Sequence, residues 1–225
     1  MPERFCLEVA GDFACFTRPE MKVERVSYDA ITPSACRAIF EAILWKPAIR
    51  WQPERVEVLA PIRWATLRRN EVASKISQGN VRSAMRQGAG ALALYIEDER
   101  QQRASLLLRD VRYRLTASFQ MTALAGEADN ARKFAEMFVR RTTKGQCFHR
   151  PYLGCREFAC DFRLVEDGEP PAAIPDELRG ERDLGWMLYD MDYANAADPK
   201  PRFFRARLID GAMAIPAFDS EEVRG

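Results

Sequence analysis

The chain has 225 residues, 47% of them apolar, with 34 Lys and Arg against 33 Asp and Glu and a single histidine. That apolar content builds a core and excludes wholesale disorder, the net charge of +1 excludes a polycation acting by charge alone, and one histidine excludes metal sites that need several. No apolar run approaches the ~20 residues of a membrane span, and no signal-peptide pattern follows Met1-Pro2-Glu3-Arg4. The six cysteines include no C-x-x-C pair. We therefore expect a cytoplasmic protein with neither cofactor nor metal, and no membrane partner.

The elements follow in chain order. Phe5–Ala10 and Asp12–Phe16 read as an opening strand, with Gly11 as a bulge. A charged loop leads to Thr32-Pro33-Ser34, a helix start, after which Cys36, Ile39, Phe40 and Ile43 recur at helical spacing until Pro47 ends the helix. Val56, Val58 and Ala60 alternate as a second strand. Residues 62–97 read as a projecting hairpin whose arms are the strand-like runs Ile62–Leu67 and Ala91–Glu97. Leu106–Met121 is a long alternating strand. Asp129 or Asn130 caps a second helix with the apolar stripe Ala131, Phe134, Ala135 and Phe138, closed by Lys144-Gly145. Cys155–Val165 is a further strand. Beyond the linker-like Asp167–Pro171, the runs Trp186–Tyr193, Phe203–Ile209 and Ala212–Pro216 are three short strands, with Asp210-Gly211 as a hairpin turn.

Strand, helix, strand, inserted hairpin, strand, helix, strand is the split β-α-β order of an α+β, ferredoxin-like (RRM-like) domain. We assign it to residues 1–168, with a small antiparallel β domain over 169–225. Single-stranded RNA binders often use this fold and lay bases on the sheet.

The charge is unevenly placed. Arg63, Arg68, Arg69, Lys75, Arg82 and Arg86 face Glu71 alone, and Arg132, Lys133, Arg140, Arg141, Lys144 and Arg150 face Glu136 alone, whereas acids dominate from Glu157 to Asp198. Such blocks form either solvated faces or a basic binding face. The stretch Phe148–Phe158 holds the lone histidine, His149, and alternates basic and aromatic side chains around Gly154, a pattern suited to gripping phosphates and stacking a base.

Two segments carry a family resemblance: Phe40-Glu41-Ala42-Ile43-Leu44-Trp45-Lys46-Pro47-Ala48-Ile49-Arg50-Trp51, preceded by Ser27–Ser34, and Gly145-Gln146-Cys147-Phe148 with Pro151–Phe158. Together they resemble the repeat-processing subunit of type I-C CRISPR systems, the "d" subtype of the fifth CRISPR-associated family in the RAMP superfamily. The resemblance implies a ferredoxin-like protein with a small C-terminal β domain. It implies metal-independent cutting of precursor CRISPR RNA at the repeat hairpin, and retention on the 5′ handle beside the backbone and large subunits of the interference complex. It also implies a tyrosine, a lysine and a histidine at the cleavage site. Here those positions are Leu44, Lys133 and Phe134, so only the lysine remains.

Cleavage without a metal needs in-line attack by a 2′-hydroxyl, proton transfer and cations on the phosphate, and yields a 2′,3′-cyclic phosphate and a 5′-hydroxyl. Lys133 is the first candidate, as clamp or proton donor, or else an ordinary exposed helix lysine. His149 is a candidate acid or base, or an RNA contact. Tyr28 and Tyr152 supply a stacking ring or a hydroxyl, or are partly buried aromatics, and Trp45 reads as core. Arg18, Lys22, Arg25, Lys46, Arg50, Arg68, Arg69, Arg140, Arg141, Lys144, Arg150 and Arg156 are the candidate RNA-binding cations. A second reading is a non-catalytic subunit capping the 5′ handle, and a third, contact with double-stranded DNA, rests on the basic hairpin alone.

Overall fold

The computed structural model describes residues 3–90 and 92–225; Met1 and Pro2, which precede the opening strand, and Ala91, which begins the expected second hairpin arm, lie outside the described residues. In chain order the elements are β1 (Arg4–Ala14), α1 (Pro33–Ile43), β2 (Ile49–Val58), β3 (Arg63–Val72), α2 (Gln78–Gln87), α3 (Ile96–Glu99), β4 (Arg100–Met121), α4 (Ala131–Thr143), β5 (Asp161–Leu164), β6 (Glu181–Asp192), β7 (Lys200–Ile209) and β8 (Ala212–Ala214). The chain is a mixed α/β protein built on one antiparallel sheet in the order β5-β1-β4-β2-β8-β7-β6, with β3 paired to the first half of β4. The C-terminal strands join through β8, which pairs with Arg55–Glu57 of β2. Among the described residues no helix is long and apolar enough to cross a membrane.

Local chemistry starts α1 and α4, and stops α4, where the sequence indicates. The Thr32 hydroxyl accepts from Ala35 N at 3.3 Å with Pro33 in the first turn, and the Asn130 side chain accepts from Lys133 N at 2.9 Å; each satisfies a backbone donor that the first helical turn leaves free. Gly145 follows α4 with φ 63°, the left-handed turn that glycine adopts without strain. Asp210 and Gly211 both take positive φ, 48° and 71°, and Ile209 pairs with Ala212, the geometry of a tight hairpin.

Strand alternation sends Phe5, Trp51, Tyr113 and Phe119 to the side of the sheet that α1 and α4 cover. Trp51 sits among Phe40, Phe138, Phe119 and Phe5 with ring centroids 4.7–5.7 Å apart, contacts worth about 0.5–1.5 kcal/mol each beyond the area they bury.

Four expectations need correction. Residues 92–95 are irregular and Ile96–Glu99 is helical, so the second arm of the hairpin is the start of β4, with Val72 opposite Arg100 and Arg63 opposite Arg109. A two-stranded ribbon exposed on both faces requires no apolar alternation, and Arg100-Gln101-Gln102-Arg103 shows none. Gly11 is not a bulge, since register with β4 runs unbroken from Ala10–Arg112 through Gly11–Val111 to Phe13–Arg109. Its lack of a side chain is required instead because a Cβ there would lie 2.6 Å from Leu153 Cδ1. The strand after the second motif is only Asp161–Leu164; before it the chain turns tightly, with Gly154 at φ 85° so close to Cys15 O that a Cβ would lie 2.0 Å away. α1 ends at Ile43, short of Pro47.

A further correction bears on function. On β5, β1, β4 and β2 the outer sheet face carries Arg4, Cys6, Glu8, Arg50, Gln52, Arg112, Arg114, Thr116, Ser118, Gln120 and Arg163 at alternate positions, none of them an aromatic ring on which a base could stack; the exposed Trp186 on that face lies at the far end of the sheet, in β6 opposite Arg205. Its centre is Glu8, buried at 7% exposure and paired with Arg112, with Arg163 at 2.7 Å and with Arg114 at 3.5 Å. The 166–171 segment lies over this cluster, with Arg114 donating to Pro170 O and Arg163 paired to Glu169. Burial alone would raise the Glu8 carboxyl, but the Arg112 and Arg163 guanidiniums override it and hold its pKa below the ordinary 4.5. A depressed carboxyl contributes stability that is present above the unfolded pKa and is lost as pH falls through the folded one. Glu8→Gln should therefore cost about 2 kcal/mol at pH 7 in a urea melt, a figure below the full buried-pair value because Arg112 and Arg163 are half exposed. The variant should also lose less stability than the wild type below pH 4.5.

Candidate RNA interface

The site begins at the end of α1, whose last carbonyls have no helical partner. Phe148 N and His149 N both reach Ala42 O, at 2.8 and 3.3 Å. The Arg141 guanidinium donates to Ile43 O. Trp51 Nε1 donates to Leu44 O at 2.8 Å. The first motif, the second motif and the end of α4 are thereby one structure. Around this junction Trp45 is 58% exposed and Phe148 80% exposed, and Lys46, Arg140, Lys144, His149 and Arg150 are all exposed. Among the described residues Lys46, Arg140 and Lys144 carry no ion pair, whereas Arg150 is paired with Asp161. The His149 ring lies 5.9 Å from Phe148 and 6.4 Å from Tyr152. Trp45 is thus not core: α1 ends at Ile43, Leu44 takes the buried position at 0% exposure, and the next side chain is turned outward.

Lys133 stands apart from this face, in the first turn of α4. It lines a hollow of about 450 Å³ with Lys46, Ala48, Leu124 and Phe134. Its ammonium is 2.9 Å from Asp129, whose carboxyl is held below its usual value by the hydrogen bonds from Lys133 and Gly126 N. Phe134 is buried at 2% exposure, and its ring lies 5.7 Å from the Lys133 ammonium. Lys133 has no recorded contact with His149, Tyr28 or Tyr152. Tyr28 is buried at 1% exposure; its hydroxyl accepts from Leu188 N at 3.1 Å and its titration is pushed up by burial, so the side chain ties β6 to the 26–30 segment. Tyr152 is half-buried beside Gly154 and Cys15.

The remaining cations divide into two groups. Arg18 stacks 4.4 Å over Tyr28 and pairs with Asp29. Arg25 pairs with Glu71 and Glu157, and Arg69 with the same two acids, which clamps the β3 ribbon to the 155–157 turn. Lys22, Arg68 and Arg156 are exposed without a recorded ion pair, and Arg50 is exposed with its guanidinium 5.7 Å from the Phe218 ring.

One feature carried no signal in the sequence. The Cys155 thiol, 140 positions from Cys15, donates to the Cys15 backbone carbonyl at 3.8 Å and so brings the two cysteines together. The hydrogen bond from Cys155 keeps Cys15 down at about 6 against the opposing effect of burial, with Thr17, Arg25 and Arg69 adding to the shift. All six cysteines are free thiols. Among the described residues no three His, Cys, Asp or Glu side chains gather closely enough to hold a metal.

An antiparallel α/β protein that pins two distant motifs together under a basic, aromatic surface is the class these features define. The model of the CRISPR-associated Cas5 family, in its Cas5d form, matches residues 5–216. A CRISPR pre-crRNA endoribonuclease Cas5d of Mannheimia succiniciproducens is 50% identical over all of both chains. Its namesake in Thermus thermophilus is 38% identical over 98% of this chain and 94% of its own. A crystal structure of a CRISPR-associated protein shares the fold with a TM-score of 0.72 at 21% identity, covering 100% of this chain and 97% of that one. The chain belongs to the Cas5d family of CRISPR-associated proteins.

Because Leu44 and Phe134 are buried in the core, placing there the tyrosine and histidine that the resemblance led us to expect would create an unpaired buried hydroxyl or imidazole. Leu44→Tyr and Phe134→His should each cost about 1–3 kcal/mol in a urea melt, and neither should accelerate RNA cleavage.

Proposed function

We propose that this protein is a metal-independent endoribonuclease that binds the repeat hairpin of precursor CRISPR RNA, cuts it once and stays on the 5′ handle within the type I-C interference complex. The observation that carries the reading is the junction at the end of α1, where Trp45, Lys46, Arg140, Lys144, Phe148 and His149 share one surface. The family membership and the names of the two relatives support it. Exposed rings stack unpaired bases and unpaired cations meet phosphates. His149 moves the proton there, taking it from the attacking 2′-hydroxyl or giving it to the departing 5′-oxygen, and Lys46 stabilises charge on the non-bridging oxygens, while Lys133, across the hollow it shares with Lys46, holds an adjoining phosphate of the strand. The products are a 2′,3′-cyclic phosphate and a 5′-hydroxyl. Alignment of the scissile linkage supplies the rest of the rate. The β5-β1-β4-β2 order with its two covering helices supports a ferredoxin-like unit over 1–168 and an appended β unit over 169–225. The exposed tip of the ribbon, where Met85 and Tyr95 lie on the surface beside Arg82 and Arg86, is where a neighbouring subunit or duplex DNA would meet it.

A second reading, a non-catalytic cap on the handle, is favoured by the burial of Leu44 and Phe134. Incubation of the purified protein with its repeat RNA in EDTA separates the two. One fragment ending in a cyclic phosphate is expected, and tight binding without any fragment over hours leaves only the cap. His149→Ala should slow cleavage ~10²-fold or more, on the scale of ~10²–10⁴ for general acid–base catalysis, with binding retained. Lys144→Ala should lower the slope of log K against log salt by about 0.7, the value for one phosphate contact on a single strand.

A further inference from the structure

We propose that a hollow of about 360 Å³ beside the first half of β2 is a pocket for one unstacked nucleotide of the bound RNA, an inference that rests on the RNA-processing reading above. β8 pairs only with Arg55–Glu57, so β2 has an unpaired edge from Ile49 to Pro53, and a proline is tolerated within a strand at such an edge. The hollow opens there, closed on its far side by the 215–219 segment that leaves β8. Its volume is at the lower end of the ~300–1,000 Å³ range of small-molecule sites, which suits a single nucleotide and not a length of strand.

Three of the charged groups at its wall, Arg37, Asp190 and Glu54, are already engaged within the fold. Arg37 holds Asp190 through two bonds of 2.7 and 3.1 Å, and Glu54 accepts from Ser118 and Arg4. Among the described residues, Arg50, Gln52, Gln120 and Asp219 have no recorded side-chain hydrogen bond or ion pair. Arg50 and Gln120 lie directly opposite each other across the β2–β4 ladder, with Gln52 next on the same face. Phe218 forms a ring wall, held by Tyr189 at 5.7 Å and with the Arg50 guanidinium 5.7 Å from its centroid. Primary amides donate and accept together, which matches a base edge, adenine above all. A ring stacks a base, a guanidinium takes a phosphate, and a carboxylate accepts from a ribose hydroxyl or an exocyclic amine. A free phosphate would use neither ring nor amides and would be repelled by Asp219. Arg50 follows Lys46 by four residues, at most about 14 Å of chain, so one single strand can occupy both this hollow and the α1 junction.

The test uses repeat RNAs with one base removed at successive unpaired positions of the handle, bound to the wild type and to a Gln52→Ala, Gln120→Ala double variant, with urea melts to confirm the fold. At one position, removing the base should weaken wild-type binding about tenfold, the scale of a lost bidentate base contact, and should cost the double variant nothing more. Phe218→Leu, which keeps an apolar side chain, should lose the same position's effect. A photo-crosslinking base at that position should attach to Phe218 or Gln120 in the unaltered protein. If every position costs the variants what it costs the wild type, or the crosslink falls elsewhere, the pocket is refuted while RNA binding stands. If the wild type does not bind the repeat at all, the RNA-processing reading falls first and the pocket with it.

Discussion

The end of α1 is the point on which the site depends. A helix that stops inside a protein must give its last carbonyls partners, since leaving one buried and unpaired costs about 1–3 kcal/mol. Here the donors come from elsewhere in the chain: two backbone amides of the second motif on Ala42, an α4 guanidinium on Ile43 and an indole from β2 on Leu44. Satisfying the helix end thus fixes where Phe148 and His149 stand relative to Lys46 and Arg140. The exposed rings, the imidazole and the cations proposed as the site are thus positioned by bonds to the backbone at the helix end, not by contacts among those side chains themselves.

That arrangement explains how much was legible in the sequence. Both helices, their caps and the long strand were readable because Thr32-Pro33, Asn130 and the apolar stripes are local signals that the fold does not override. The basic–aromatic character of Phe148–Arg156 was readable for the same reason. Which cations stay free was not, because pairing is decided by distant acids. Arg25 and Arg69 look like phosphate ligands until Glu157, 132 and 88 positions away, neutralises them. Trp45 looks like core because tryptophan usually is, and the end of α1 at Ile43 puts Leu44 inside instead. The ribbon's second arm escaped notice because a strand solvated on both faces carries no periodicity.

The burial of Leu44 and Phe134 gives the absence of the expected tyrosine and histidine a structural meaning. Both positions belong to the aromatic and aliphatic core around Trp51, so they contribute packing, and the hollow that Phe134 borders retains Lys133 and Lys46 as its cations. Lys133 is held by Asp129, an exposed pair of small energetic worth that a phosphate can displace. The imidazole that remains, His149, is held at the end of α1 through its backbone bond to Ala42 O, and Lys46, three residues past Ile43, is the cation that this junction shares with the hollow of Lys133.

The sheet itself constrains the path such a strand can take. In an RRM-like arrangement the open face would carry rings for the bases, but here it carries Glu8 ringed by arginines and is partly covered by the 166–171 segment. Inserting a phosphate would set it against the Glu8 carboxylate, and inserting a base would break ion pairs without offering a stacking partner. The proposed RNA path therefore keeps to the helix side and the sheet's margin, and at that margin the first half of β2 is the stretch that β8 leaves unpaired. The strand that ends too early to complete the sheet is what gives the bound nucleic acid a second place to put a base.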